Sequence, residues 1–302
     1  MQRKYIVLWS LSIVFVALVS SQLPKIVSDE EYKTALGDYN KVFSVVLPTE
    51  ISFAGENVPM GQFYVQEALD NELTVNTYWH SSTIFLIKKA NRWFPVIEPI
   101  LKKNGIPDDF KYLAVAESGL KNVVSPAGAS GFWQIMKTTG QEYGLEINSE
   151  VDERYHVEKA TEAACKYLNN AYKKHGSWTL AAASYNAGMG KISKETEKQK
   201  EDNYYDMNFG EETGRYVYRI LALKEILSKP TQYGFHLRKE DLYQPFKTYE
   251  VEVDSTIPNL TAFAARFGLN YKELKIYNPW LRDAHLPDVS RKIYKIKVPV
   301  KQ

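Results

Sequence analysis

The apolar residues of this chain keep one spacing for most of its length and then change it once. From about residue 62 to residue 228 they recur every three or four positions, the period of an amphipathic helix. Residues 62–73 and 78–104 read as helices that scaffold a core. Past a stretch punctuated by Pro230, Gly234 and Pro245 the period shortens. Tyr249, Val251 and Val253 alternate with charged residues, the signature of a half-buried strand. Residues 259–267 and 271–277 return to helical spacing, and 293–298 closes as a second strand. A chain of 302 residues has room for about two domains. The expectation is a mainly α protein: a lead-in with little pattern over 22–61, a large helical domain over 62–230, a linker over 231–246, and a small α+β domain of βααβ order over 247–302.

The first 21 residues have a different logic. Arg3 and Lys4 precede a largely apolar run from Tyr5 to Val19, then Ser20-Ser21-Gln22. That is the layout of a signal peptide cleaved after Ser21, and the run is short for a membrane-spanning helix. An uncleaved anchor is the alternative, and membrane association is expected only in that case. No Cys follows the run, so lipid anchoring of the bacterial lipoprotein kind is not expected. The single Cys165 falls on a helical stripe beside Ala164 and Leu168 and reads as a buried packing residue. Removing Arg3 and Lys4 from 38 basic residues leaves 36 against 36 acidic ones. A mature chain of zero formal charge argues against nucleic acid as a partner and against strong electrostatic binding to membranes.

Chemistry enters at Glu117. The segment Pro107-Asp108-Asp109-Phe110 suits a first helical turn, and Gly119 can stop the helix. Phe110, Leu113 and Ala114 lie seven, four and three residues before Glu117, so all four share one face. A carboxyl on a core-facing stripe is costly to ionise, and its pKa rises toward the range of a general acid. The plainer reading is a Glu at a helix end that pairs with an Arg or caps a neighbour.

Three further motifs follow in order. Gly131-Phe132-Trp133-Gln134-Ile135 comes after the loop of residues 125–131. Ala183-Ser184-Tyr185-Asn186-Ala187-Gly188 closes a helix that starts near Ser177-Trp178. Glu212-Thr213-Gly214-Arg215-Tyr216-Val217 opens the next helix, with Tyr216, Ile220, Leu223 and Leu227 on one face. Taken singly each of these is a cap or a core element. As an ordered set, over about residues 75–230, they resemble the catalytic domain of the soluble-type lytic transglycosylases. These form a goose-lysozyme-like family that cleaves peptidoglycan, and the membrane-bound lytic murein transglycosylase D group is the nearest in pattern.

The resemblance implies a lysozyme-like helical catalytic domain and a peptidoglycan lytic transglycosylase, a carbon–oxygen lyase acting on peptidoglycan glycan strands in the bacterial periplasm or cell envelope. Cell-wall assembly proteins are candidate further partners. After Glu117 no Asp or Glu appears until Glu142, whereas ordinary glycosidases need two carboxylates. The family's answer is that the substrate supplies the nucleophile: the C6 hydroxyl of N-acetylmuramic acid attacks its own anomeric carbon. Glu117 is then the sole acid and base, and the product is a 1,6-anhydro sugar. Around it, Ser118 is expected to meet the substrate N-acetyl group or a water. Gln134 is expected on sugar hydroxyls or amides, Tyr185 and Asn186 on N-acetyl groups, and Tyr216 on the Glu117 carboxyl. Phe132 and Trp133 either stack on a sugar ring or pack the core. The open alternatives are a hydrolytic muramidase of the same fold and a non-catalytic peptidoglycan-binding scaffold.

The strand–helix–helix–strand order of residues 247–302 resembles a lysin-motif (LysM) glycan-binding module. The turn after its first strand departs from the usual Gly-Asp-Thr, reading Val253-Asp254-Ser255-Thr256-Ile257-Pro258, and a purely structural appendage is the alternative. As a tethered binder, it is expected to be dispensable for cleaving soluble fragments in a chain ending near Gln244, and needed for holding insoluble sacculi. No cofactor and no metal are expected, because His156 with Cys165 is the one metal-like pair and is unconvincing. Gly188-Met189-Gly190 reads as the end of a helix, not the opening of a phosphate loop. Asp152-Glu153-Arg154 reads as capping and local salt bridging before a helix near Val157. Lys191–Lys200, interleaved with Glu, reads as a solvated loop and not as a nucleic-acid patch.

Overall fold

Helices carry most of the chain, as the apolar period requires. The structure is a computed structural model describing residues 30–31, 42–287 and 292–300. The expected signal peptide lies outside the described residues. The chain divides into two compact units at residue 44. In the first, Glu30 and Glu31 are helical and residues 42–44 are exposed without regular structure.

The second unit opens on a short hairpin, β1 (Ser52–Phe53) paired antiparallel with β2 (Glu56–Asn57). Ala54 and Gly55 make the turn with φ of 53° and 84°. Phe53 is fully buried and meets the ring of Phe110 at 5.1 Å. This end of the expected lead-in therefore belongs to the helical core. Strands of two residues are too short to show a period, so the pattern gave no sign of them.

Helix α1 (Phe63–Tyr78) buries Val65, Leu69 and Leu73 at helical spacing and packs on the last helix of the domain. The chain breaks at Trp79 and continues as α2 (His80–Lys103), then α3 (Phe110–Ser118) and the short α4 (Lys137–Glu142). Asp152 caps a 3-10 turn at Glu153–Tyr155, and α5 (Val157–His175) follows. Ser177 caps α6 (Trp178–Ala187), and α7 (Met189–Gln199) and α8 (Glu211–Ser228) complete the domain. Cys165 on α5 is buried, and burial pushes its thiol up to about 12.

Two expectations need correcting. Residues 191–199 are not a loop but most of α7, which stops at Lys200, buries Ile192 and turns the interleaved Lys and Glu to solvent. A single buried apolar residue leaves no period to read. Gly188, with φ 86°, both closes α6 and opens α7, since its carbonyl accepts from the N–H of Lys191 and of Ile192. The stretch 231–246 is likewise not a bare tether. Phe235 is buried in the helical core, and Asn91 and Arg92 of α2 donate to the carbonyls of Tyr243 (3.0 Å) and Gln244 (2.9 Å).

The C-terminal domain has the expected βααβ order. β3 (Thr248–Val253) pairs antiparallel with β4 (Tyr294–Pro299), from Thr248 opposite Pro299 to Val253 opposite Tyr294. Between them lie α9 (Leu260–Arg266), capped by Asn259, and α10 (Tyr271–Tyr277), which Asn270 and Glu273 close in a reciprocal capping box. Fully buried Asn278 accepts from the Lys297 N–H and donates to the Leu274 and Lys297 carbonyls, fastening α10 to β4. Its core of Leu260, Leu274, Trp280 and Ile296 also takes in Val151 and Tyr155 from the helical domain.

Candidate active site

Glu117 stands in the last turn of α3. The helix stops at Gly119, whose φ of 59° is the left-handed conformation that favours glycine. A side chain there would also meet Leu86 at 3.2 Å. The Lys89 ammonium donates to the Gly119 carbonyl, placing a cation at the helix C-terminus; burial brings Lys89 down to about 8. The other end differs from the sequence expectation. The helix starts at Phe110, and Asp109 does not act on its dipole in the first turn. Its carboxylate accepts from the Ala54 N–H and the Lys224 ammonium, both at 2.7 Å, tying α3 to the hairpin and to α8.

Phe110, Leu113 and Ala114 are buried, and Glu117 on the same stripe is partly buried. The Tyr216 hydroxyl on α8 donates to Glu117 Oε1. Burial pushes the Glu117 carboxyl up to about 7. The Tyr216 hydrogen bond and the charge of Arg219 pull the other way, and the charge of Glu212 adds to the rise. Burial first, then the neighbouring Glu117 charge, keeps the Tyr216 phenol well above its ordinary range, so it remains a donor.

The loop from Val123 to Met136 forms the next part of the site, and three candidate residues hold it. Ser118 Oγ donates to the Phe132 carbonyl at 2.8 Å. The Gln134 amide donates to the Val123 and Gly131 carbonyls at 3.0 and 2.8 Å. The Tyr185 hydroxyl donates to the Trp133 carbonyl at 2.7 Å. Their donors, expected on the sugar, are thus used on the backbone. Gln134 sits at φ 47° and keeps Oε1 outside these bonds. Of the two readings for Phe132 and Trp133, the structure selects packing: both are buried, and Trp133 Nε1 donates to Thr161 at 2.8 Å. Val124 and Met136 leave an exposed apolar rim on the same loop.

Asn186 meets the Glu212-Thr213 motif directly, its Oδ1 accepting from Thr213 Oγ1 at 3.1 Å. The ordered motifs of the sequence thus converge: Glu117 with Tyr216, Ser118 with Phe132, Tyr185 with Trp133, Asn186 with Thr213. Sequence reading missed the charges around them. Glu212 and Arg219 lie four residues before and three after Tyr216, which puts them on its face of α8. Arg219 and Arg215 in turn face buried Glu72 of α1, at 3.7 and 2.7 Å. That helical phase was the signal available. No group of three or more His, Cys, Asp or Glu among the described residues could hold a metal ion. A depression of about 290 Å³ bordered by Glu56, His175 and Tyr205 lies at the far end of α6 from Tyr185, away from the carboxyl.

Residues 94–208 match the transglycosylase SLT domain family, and residues 249–302 match the soluble lytic transglycosylase C-terminal LysM-like domain. The chain carries an SLT domain followed by a LysM-like domain. It is homologous to membrane-bound lytic murein transglycosylase D of Escherichia coli K12, with 28% identity over 244 residues, 78% of this chain and 52% of the relative. The protein of the same name from Escherichia coli O6:H1 matches to the same extent. The chain spans about half the length of these curated relatives. The SLT match contains Glu117, Ser118, Gln134, Tyr185 and Asn186 but ends before α8. Tyr216 joins the site through the fold.

Proposed function

We propose that this protein is a peptidoglycan lytic transglycosylase of the bacterial cell envelope. In this reading it cleaves the β-1,4 bond from N-acetylmuramic acid to N-acetylglucosamine without water, with Glu117 as acid and base. The observation that carries the reading is a carboxyl raised to about 7 by burial and held by the Tyr216 hydroxyl. Such a group is substantially protonated at neutral pH and can act as a general acid. The Glu117 proton passes to the glycosidic oxygen as the C1–O bond breaks. The C6 hydroxyl oxygen then bonds to C1, and its proton returns to the Glu117 carboxylate. Atoms balance without water, and the enzyme regains its starting form. An intramolecular nucleophile has a high effective concentration, so the site needs no second carboxylate to activate water.

The loop geometry supports a supporting role for Ser118, Gln134, Tyr185 and Asn186. Their bonds fix the backbone beside Glu117, leaving Gln134 Oε1 and the Asn186 amide N–H groups for substrate. Peptidoglycan glycan is the expected ligand of both domains. Muropeptides released from purified sacculi test the reading: 1,6-anhydro ends support it, and reducing muramic acid ends refute it.

One observation favours a second reading. Glu212 faces the site from α8, and an exposed carboxylate beside the acid could activate water for hydrolysis. Glu212→Gln separates the two. A hydrolase loses about a hundredfold or more in kcat with its base, whereas the transglycosylase keeps its rate and its anhydro product.

A further inference from the structure

Residues 146–156 lie in the helical domain by sequence, yet they complete the core of the LysM-like domain. Val151 and Tyr155 are 1% and 5% exposed within that core. The Asp152 N–H donates to the Trp280 carbonyl (2.9 Å) and the Arg282 N–H to the Glu150 carbonyl (2.7 Å), with Val151 opposite Leu281. The Arg282 guanidinium lies 4.2 Å from the centre of the Tyr155 ring. Lys292 and Tyr294 both reach Glu146 at 3.0 Å, and Lys297 pairs with Glu158 on α5. A flexibly tethered module would share neither its core nor backbone hydrogen bonds with the domain it serves.

The other side of the same segment grips the cleft loop. Arg154 and Asp152 are both buried and form a two-pronged pair, Nε to Oδ1 at 2.9 Å and Nη2 to Oδ2 at 2.7 Å. The remaining Nη1 donates to the carbonyls of Gly128 (3.0 Å) and Ile135 (3.2 Å), which bracket Gln134. Gly131 sits so close that an added Cβ would come within 1.9 Å of the Arg154 carbonyl oxygen. A buried guanidinium is tolerable only with its donors satisfied, and the planar fork that satisfies these cannot be copied by lysine. Asp152, which orients the fork, is bonded through its own N–H to Trp280 of the LysM-like domain.

We propose that the LysM-like domain is a structural buttress of the loop that borders the catalytic carboxyl, and that Arg154 is the positioning residue through which its docking reaches the loop carrying Gln134. This rests on the glycan-cleaving reading of Glu117. The loop it holds meets Ser118, next to Glu117, and Tyr185, whose hydroxyl binds the Trp133 carbonyl. Loosening it admits water beside the carboxyl. The charged and titratable groups facing Glu117, namely Tyr216, Arg219 and Glu212 on α8 and Tyr185 on α6, stay as they are.

The test uses the full chain with soluble glycan strands. Arg154→Lys is expected to lower kcat by about ten- to a hundredfold, the effect of a displacement near 1 Å, with KM little changed. Hydration lowers the Glu117 pKa, so the alkaline limb of the rate profile should move to lower pH. A merely structural role would reduce the folded fraction without moving that limb. The second variant, Lys292→Glu with Lys297→Glu, sets like charges against Glu146 and Glu158 and leaves the cleft untouched. It should speed deuterium exchange at the Asp152 N–H and produce the same two kinetic signs. Wild-type kcat and pH profile in Arg154→Lys overturn the proposal, as does faster Asp152 exchange with unchanged kinetics. If Arg154→Lys does not fold, the charge-reversal variant decides alone. Glu117→Gln serves as the control: an active Glu117→Gln enzyme would sink the glycan-cleaving reading itself, independently of Arg154.

Discussion

Burial raises the Glu117 carboxyl while Tyr216 and Arg219 oppose the rise, and the balance gives it a testable titration. Glu117→Gln is expected to lower turnover by at least about two to four orders of magnitude, the usual contribution of one acid–base group, with glycan binding intact. Lysis above a tenth of the wild-type rate would refute the assignment. The same variant reports on stability. A carboxyl raised in the folded state, from 4.5 to about 7, makes the protein less stable as pH rises through that window, since ionisation is harder folded than unfolded. Glu117→Gln removes the cost, so it should be more stable than the parent at pH 8, by up to about 3 kcal/mol, and nearly equal at pH 4. Denaturant midpoints at the two pH values measure this. Tyr216→Phe tests the hydrogen bond alone. Losing about 1.5–3 kcal/mol of charge-assisted bonding slows the reaction roughly ten- to a hundredfold. It also raises the Glu117 pKa, moving the alkaline limb of the rate profile upward; an unmoved limb with full rate would make Tyr216 a packing residue. Helical phase put Glu117 and Tyr216 each on an inward face, and only the resemblance of the ordered motifs to the family turned those two positions into an acid and its partner. Arg154 was legible only as a local salt-bridge partner, because the carbonyls it holds belong to a distant loop with no side-chain signature.

At the scale of elements, the best-capped helix is α6, which carries Tyr185 and Asn186. Glu56 of the hairpin reaches its first turn, accepting from Ser177 Oγ (2.9 Å), the Trp178 N–H (2.6 Å), the Thr179 N–H (2.9 Å) and Thr179 Oγ1 (2.6 Å). A carboxylate at a helix N-terminus answers both the free N–H groups and the dipole. Glu56→Ala should therefore cost about 2–4 kcal/mol, more than an ordinary cap, because four donors lose a charged acceptor. A fall in the urea midpoint with unchanged slope would show it, and a midpoint within error of the parent would show that water replaces the cap. Local pattern placed the helix start near Ser177-Trp178, but could not show the Glu56 cap, which is 121 residues away along the chain. The same division holds for the other elements. Most helices with several buried residues at regular spacing were read within a few residues of their ends, whereas the one expected over 62–73 runs on to Tyr78. The hairpin and α7, with one or two buried apolar residues each, left no period to read.

For the whole molecule, the two periods of the sequence correctly separate a helical domain from a βααβ domain, but periodicity says nothing about how firmly two domains adhere. Nothing in the alternation of Val251 and Val253 announces that Val151 and Tyr155, a hundred residues earlier, lie in the same apolar core. The expectation of a dispensable, tethered glycan binder therefore changes. A chain ending at Gln244 keeps Phe235 in the helical core and the bonds from Asn91 and Arg92, but loses Phe246, whose ring packs on Trp93 at 5.7 Å and lies under the Arg92 guanidinium. It loses the cover over Val151 and Tyr155, the backbone pairing of 150–152 with 280–282, and the ion-pair partners of Glu146 and Glu158. Exposing two large side chains that were almost fully buried costs about 1.5–3 kcal/mol each, and the lost backbone bonds add to that. For a domain of this size, thermal unfolding should begin about 5–15 °C earlier. The shortened chain should also cleave soluble glycan more slowly per folded molecule, not merely bind sacculi less well. Scanning calorimetry together with turnover on soluble strands decides the point. A truncated chain that melts with the parent and turns over at the parent's rate would restore the tethered picture, because contacts worth several kcal/mol cannot vanish from both measurements at once.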